Sequence, residues 1–254
     1  MKIIGVVPAR MASSRFPGKP MHPILGKPMI EHVFRRAQLF KEWNGLFLAT
    51  CDQEIEEYGK EQRWPVIMTS NKHIRCLDRV AEAVENCGSI LSPEDLVVCI
   101  QGDEPLLHPD MIHAAIKPVI ENLDVNCTVL AMCIQDEDQF YNPNTVKIIH
   151  DIKGDVLYTS RSPVPYTKTF SPTMNVRRIY GILAFRWKFL KLFNSLPESP
   201  LELVESCDSN RIIDNGLKQR IAPYPYRPSF SVDSPSDIQL VEAALKTDVL
   251  WGAY

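Results

Sequence analysis

The alternation of short apolar runs with longer stretches of helical period constrains this chain more than any other feature of its sequence. Ile3 to Val7, Leu46 to Ala49, Val66 to Met68, Leu96 to Ile100 and Val125 to Ile134 each have the character of one buried strand. Between the first two, Met29, Val33 and Ala37 share a helical face with Ile30, Phe34 and Phe40, and Pro28 suits the first turn. Asp52 to Gln62, Asp78 to Asn86 and Pro109 to Ile120 read as further crossover helices. This order predicts parallel βαβ units. Strands that are apolar throughout are covered on both faces, so the expected class is α/β, a three-layer α/β/α sandwich with a mostly parallel sheet.

From Asn142 the texture changes. Thr145 to Ile149 and Val156 to Ser160 are short and β-rich, while Ser162-Pro-Val-Pro165 and Ser171-Pro172 interrupt any helix. A β-rich antiparallel excursion, residues 158–216, is expected within a single domain of residues 1–254. The chain is then expected to rejoin the main sheet at Leu217 to Ile221 and to close with a helix from Pro235 to Lys246, capped by Ser234.

Composition excludes several classes. With 45% hydrophobic and 23% charged residues the chain can bury a sizeable core and is not of the disordered type. A net charge of -3 argues against holding nucleic acid through bulk positive charge, so any anion site must be local. Thr128 to Ile134, the most apolar run, is far short of the roughly 18 residues a membrane span needs. No targeting segment is read, and neither nucleic acid nor membrane is expected as a partner. Seven cysteines in odd number, without CxxC spacing, read as reduced core thiols of a cytoplasmic protein.

In a doubly wound α/β fold, ligands sit beyond the carboxyl ends of the strands. The loop after the first strand is Pro8-Ala-Arg-Met-Ala-Ser-Ser-Arg-Phe-Pro-Gly-Lys-Pro20. Arg10, Arg15 and Lys19 put three cations within ten residues, and Ser13, Ser14 and Gly18 let the backbone approach a ligand. A polyphosphate satisfies them together. A later strand ends in Gln101-Gly-Asp-Glu-Pro105, which delivers Gln101, Asp103 and Glu104 to the same sheet edge. Carboxylates facing bound phosphates require a hard cation between them, and Mg²⁺ takes one or two carboxylates plus phosphate oxygens. Asp233, in Ser231-Val-Asp-Ser-Pro235, is placed similarly.

The loop PARMASSRFPGKP, the QGDEP turn, Asn142-Pro-Asn-Thr-Val-Lys147, Ser160-Arg-Ser-Pro-Val-Pro165, Ser199-Pro-Leu-Glu202 and Ser231-Val-Asp-Ser-Pro235 follow one another in an order that resembles the CMP-Kdo synthetases, the 3-deoxy-manno-octulosonate cytidylyltransferases. The resemblance covers nearly the whole chain. It implies a Rossmann-like, homodimeric, Mg²⁺-dependent enzyme that joins CMP from CTP to an acidic sugar and releases pyrophosphate, with the β-rich excursion of about residues 158–216 serving the acceptor and dimerisation. Position by position it implies Arg10 and Lys19 as triphosphate cations, Asp103 and Asp233 as magnesium carboxylates, and these four as the catalytic set. Pro8, Ala9, Ser14, Arg15, Arg75, Asp78 and Gln101 complete the implied nucleotide site. The implied acceptor site is Gln101, Arg161, Ile179, Leu183, Glu205, Asp208 and Ser209. In-line displacement at phosphorus needs positioning and charge neutralisation more than covalent chemistry, which suits this set.

The chain departs from the family pattern in two places. The usual Ser-Gly-Thr-Asp-Arg of the nucleotide site reads Arg75-Cys-Leu-Asp-Arg79, leaving Arg75 either to offer its five-donor fork to cytosine or phosphate or to face solvent. The usual Arg-His-Ile-Gly-Ile-Tyr-Ala-Tyr-Arg reads Arg178-Ile-Tyr-Gly-Ile-Leu-Ala-Phe-Arg186, so Ile179 and Leu183 replace a hydrogen-bonding His and Tyr. Asp208-Ser209 stands where the family has Glu-Gln. Loss of hydroxyl partners points to an altered acceptor, a modified Kdo-like sugar or a non-sugar acid such as a phosphonate, against simple drift in a Kdo enzyme. A catalytically silent nucleotide-binding relative is the alternative, opposed by retention of both metal carboxylates. A sugar-1-phosphate nucleotidylyltransferase is a third reading, opposed by the acids Glu205 and Asp208 near the acceptor.

Overall fold

The computed structural model describes residues 1–13 and 15–254; Ser14, expected on the nucleotide site, lies outside the described residues. The first half follows the predicted alternation. It runs β1 (Ile3–Pro8), a small hairpin of β2 (Pro23–Ile24) and β3 (Lys27–Pro28), α1 (Met29–Gln38), β4 (Gly45–Thr50), α2 (Gln53–Glu61), β5 (Val66–Met68), α3 (Cys76–Asn86), β6 (Leu96–Ile100), α4 (Pro109–Glu121) and β7 (Cys127–Cys133). Pro28 precedes α1 at its cap position and is not inside its first turn.

Two cores explain why these strands are apolar throughout. Along β1, Ile3 and Val7 join the core shared with α1 and α4, whereas Ile4 and Val6 join the opposite core, shared with α3. Along β6, Leu96, Val98 and Ile100 face the first core, Val97 and Cys99 the second. Side chains alternate across a strand, so only a sheet covered on both faces buries every residue of it. This is the expected three-layer α/β/α sandwich.

The second half contributes α5 (Glu137–Tyr141), β8 (Lys147–His150), β9 (Val156–Ser160), β10 (Arg177–Arg186), α6 (Trp187–Ser195), α7 (Pro200–Glu205), α8 (Ser209–Asp214), β11 (Arg220–Tyr224) and α9 (Asp237–Thr247). The main sheet has the order β11-β7-β10-β6-β1-β4-β5, with β8 and β9 attached through β10. β1 pairs parallel with β4 and β6, and β7 parallel with β11, while β10 runs antiparallel between β6 and β7.

Three expectations change here. Residues 158–216 are not one continuous excursion, because β10 passes through the middle of the main sheet: Tyr180, Ile182 and Ala184 enter one core, Leu183 and Phe185 the other. The return strand is Arg220–Tyr224, three residues later than expected. The last helix begins at Asp237, with Ser236 at its cap, because the Asp237 carboxylate accepts the Asp233 and Ser234 N–H groups at 2.9 and 2.7 Å and closes a turn ahead of it. All seven cysteines are free. No helix among the described residues is long and apolar enough to cross a membrane.

Candidate active site

Parallel pairing of β1 and β6 brings both carboxyl ends to one sheet edge, so the loop after Pro8 and the turn after Ile100 face each other. The approach is close: a Cβ at Gly102 would lie 2.7 Å from the Pro8 carbonyl oxygen, which only glycine avoids. The loop is pinned at one end by Asp52, whose carboxylate accepts the Met11 N–H at 2.8 Å. Gly18, with φ of 72°, turns the chain so that Lys19 points back at the edge.

There the predicted cations meet the predicted carboxylates. Lys19 Nζ donates to Asp103 Oδ2 at 2.9 Å and to the Val232 carbonyl at 2.6 Å. Arg15 donates to Asp233 Oδ1 and to Asn144 Oδ1, both at 2.6 Å. The Asp103 carbonyl in turn accepts the Val232 N–H at 3.0 Å, tying the Asp233 loop to the end of β6. Burial, then the negative charge of Asp103, holds the Asp233 carboxyl above its ordinary range, while Arg15 and Lys19 act against the shift.

Two cavities open at this edge. One, of about 610 Å³, is walled by Pro8, Ala9, Arg10, Arg15, Lys19, Arg75, Cys76, Gln101 and Asp103. The other, of about 560 Å³, lies over β10 and is walled by Ile179, Gly181, Leu183, Arg161, Asp208, Ser209 and Asp233, among others. Arg15, Gln101, Asp103 and Arg161 belong to both walls. Thus every described nucleotide-site residue predicted from sequence except Asp78 lines the first cavity. Every predicted acceptor residue except Glu205 lines the second.

The exceptions have structural work. Asp78 pairs at 3.1 Å with buried Arg211, whose guanidinium also grips the fully buried Glu202 through two bonds of 2.7 Å. Glu205 accepts from Tyr158, Ser160 and the Arg161 N–H at 2.7 to 2.8 Å, and its own carbonyl takes Arg161 Nε at 2.7 Å. It positions Arg161 from behind the cavity. Arg75 is turned from solvent: its Nε faces Glu198 at 3.3 Å and Glu202 at 3.7 Å.

Several residues escaped the sequence reading. Glu104 was visible in the QGDEP turn, but its place in the second cavity wall was not. It is 2% exposed, and its Oε1 accepts the Gly181 N–H at 2.9 Å and the Ser231 hydroxyl at 2.8 Å. Burial, then the neighbouring Asp103 charge, pushes its carboxyl up to about 7. Arg178, 6% exposed, also lines this cavity and donates to the Ser229 carbonyl at 2.7 Å. Cys76 was hidden because a thiol in an apolar helix reads as core.

Comparison with known proteins is consistent along the chain. A family model described as cytidylyltransferase matches residues 4–221. A 3-deoxy-manno-octulosonate cytidylyltransferase of Thermodesulfovibrio yellowstonii is 39% identical, over 97% of this chain and 99% of its own. One from Solibacter usitatus is 36% identical, over 99% and 97% respectively. Among solved structures, a CMP:2-keto-3-deoxy-manno-octonic acid synthetase complexed with CTP superposes with a TM-score of 0.85 at 30% identity, covering 97% of this chain and 99% of that one.

Proposed function

The chain belongs to the cytidylyltransferases of the 3-deoxy-manno-octulosonate type, and from that premise we propose that it transfers CMP from CTP to a Kdo-like acidic sugar and releases pyrophosphate. One observation carries the reading: the two cavities share Arg15, Gln101, Asp103, Asn144, Arg161 and Ser206, so a nucleotide against the β1 loop and an acceptor against β10 meet at one edge.

In this reaction the acceptor hydroxyl oxygen forms a bond to the α-phosphorus, the bond from that phosphorus to the bridging oxygen breaks, and the hydroxyl proton is lost. Arg10, Arg15 and Lys19 neutralise charge on the phosphates, with Lys19 and Arg15 already standing on the cavity wall within reach of either carboxylate or phosphate. Arg161 offers a guanidinium to the acceptor's carboxylate. Gln101, at the shared wall, bridges the two substrates.

Asp103 and Asp233 are the residues that would hold Mg²⁺. The fit is chemical: both present hard oxygen donors to one cavity, and burial followed by the Asp103 charge holds the Asp233 carboxyl above its ordinary range. Bound there, Mg²⁺ would supply charge neutralisation at the phosphates.

The acceptor is proposed to differ from Kdo itself, because Ile179 and Leu183 line the second cavity where the related pattern has hydrogen-bonding side chains. The protein is further proposed to act in the cytoplasm as a homodimer. The test supplies CTP and Mg²⁺ with a panel of acidic sugars and phosphonates and detects CMP adducts by mass spectrometry and released pyrophosphate. A CMP adduct with an acidic sugar is expected; an enzyme that binds CTP yet modifies none of the panel is a silent relative, and adducts confined to phosphonates identify the non-sugar reading.

A further inference from the structure

The family pattern has glycine where this chain has Cys76, so the thiol is an added group in the wall of the nucleotide cavity. It sits in the first turn of α3, and its sulfur has a partner on either side. Gln101 Nε2 donates to Cys76 Sγ at 3.4 Å, and Cys76 Sγ donates to Asp208 Oδ2 at 3.3 Å. A thiol carries one proton and acceptor lone pairs, so beside an ionised Asp208 it serves both contacts in this direction. The neighbouring Cys99 thiol, burial and the Asp208 charge all keep Cys76 protonated.

Gln101 lies in both cavity walls, and Asp208 belongs to the acceptor cavity. The far end of the Gln101 amide is constrained as well: a Cβ at Gly181 would lie 2.7 Å from Gln101 Oε1, so this oxygen rests against the bare face of Gly181 on β10. The Gln101 backbone N–H also donates to the Gly181 carbonyl at 2.7 Å. With its nitrogen drawn to sulfur, the amide sets its carbonyl oxygen against Gly181, itself part of the acceptor-cavity wall.

We propose that Cys76 is a positioning residue that joins the two halves of the site, fixing the Gln101 amide with its oxygen toward the acceptor and holding the Asp208 carboxylate beside it. Gln101 then accepts a hydrogen bond from an acceptor hydroxyl and does not donate one. The inference rests on the transfer of CMP proposed above.

Steady-state kinetics with CTP and Kdo, using Cys76→Ala and Cys76→Ser, tests it. Cys76→Ala should raise KM for Kdo by about three- to tenfold, the worth of one net hydrogen bond, while KM for CTP stays within about twofold. Cys76→Ser, whose hydroxyl both donates and accepts, should return the Kdo KM to within about twofold of the unmodified enzyme. An unchanged Kdo KM in a folded Cys76→Ala variant, or a Ser variant no better than the Ala one, overturns the bridge.

A second readout needs no turnover and separates this inference from the reading of function. In the infrared difference spectrum between the unmodified protein and Cys76→Ser, the lost S–H band should lie below that of an unbonded thiol and move toward it in Asp208→Ala. A band already at the unbonded position disproves the bridge whether or not Kdo is converted. Absence of CMP transfer by the unmodified protein, with the shifted band present, defeats the functional reading and leaves the bridge standing.

Discussion

Lys19 Nζ stands 2.9 Å from Asp103 Oδ2, joining the loop after β1 to the turn after β6 across 84 residues of sequence. Two adjacent parallel strands end side by side, so a cation placed just after one and a carboxylate just after the other must meet. The neighbouring pair, Arg15 and Asp233, repeats the arrangement at 2.6 Å. Opposed charges on a cavity edge are what a site needs if it is to take a polyanion together with a cation.

Replacing Lys19 with Ala should therefore disable chemistry and spare the fold. Its side chain packs no core, and its partners are Asp103 and the Val232 carbonyl. Loss of one charge-stabilising contact in the transition state should lower kcat and kcat/KM together by about 10²- to 10³-fold. Turnover of CTP at the normal rate by the Lys19→Ala enzyme would show that this cation does not serve phosphate.

Asp103→Asn and Asp233→Asn each keep shape and remove charge. Each variant should stay folded by circular dichroism and lose most Mg²⁺-dependent activity, and EDTA should abolish activity in the unmodified enzyme. Undiminished activity of Asp103→Asn in EDTA would refute the proposed metal role.

The parts of this molecule legible in sequence are those fixed by burial. β1, β4 and β6 read directly because each is covered on both faces. β10 is buried in the same way, but the Pro-rich segment before it mimics an excursion, and no side-chain pattern announces that a strand will insert antiparallel between β6 and β7. Site residues followed the same division. Arg10, Lys19, Asp103 and Asp233 lie at strand ends or just before a helix, where placement follows from topology. Asp78 and Glu205 look alike in sequence, yet their partners lie far along the chain: Arg211 is 133 residues from Asp78, and Tyr158 is 47 from Glu205. Such pairings are decided by packing alone.

Glu104 gives stability a pH signature. Its carboxyl is pushed up to about 7 from an ordinary 4.5, so the folded protein keeps a proton that the unfolded chain has already released. The resulting contribution is full below 4.5 and is lost as pH rises to about 7. Glu104→Gln cannot ionise. Urea melts across this range should show the unmodified protein losing stability relative to Glu104→Gln as pH rises, with the gap constant above it; parallel curves throughout would rule out a buried, protonated Glu104.

Assembly is testable at the β9 and α7 surface. Leu157, Tyr166, Leu203 and Val204 are 54 to 86% exposed; Leu157 adjoins, and the other three lie within, residues 158–216, the excursion proposed to carry the homodimer contact. Light scattering at micromolar concentration should give the mass of two chains, and Leu157→Asp together with Val204→Asp should shift it toward one. A single-chain mass for the unmodified protein would remove the dimer from the proposal.

The acceptor prediction turns on β10. Ile179 and Leu183 flank Gly181 in the cavity wall, and Ser209, at the start of α8, lines the same cavity. Three hydrogen-bonding side chains of the related pattern are thereby missing together. At roughly 0.5–1.5 kcal/mol for each neutral hydrogen bond, Kdo should be poorer than the preferred acceptor by about one to three orders of magnitude in kcat/KM. The preferred acceptor should carry an acidic group for Arg161 and a less polar or differently charged substituent over Ile179 and Leu183. Restoring Ile179→His, Leu183→Tyr and Ser209→Gln together should raise activity on Kdo, with a gain smaller than the sum of the three bonds because neighbouring substitutions couple. If the unmodified enzyme uses Kdo with a kcat/KM equal to or above that of every other acidic acceptor, the apolar wall is drift and the acceptor is Kdo.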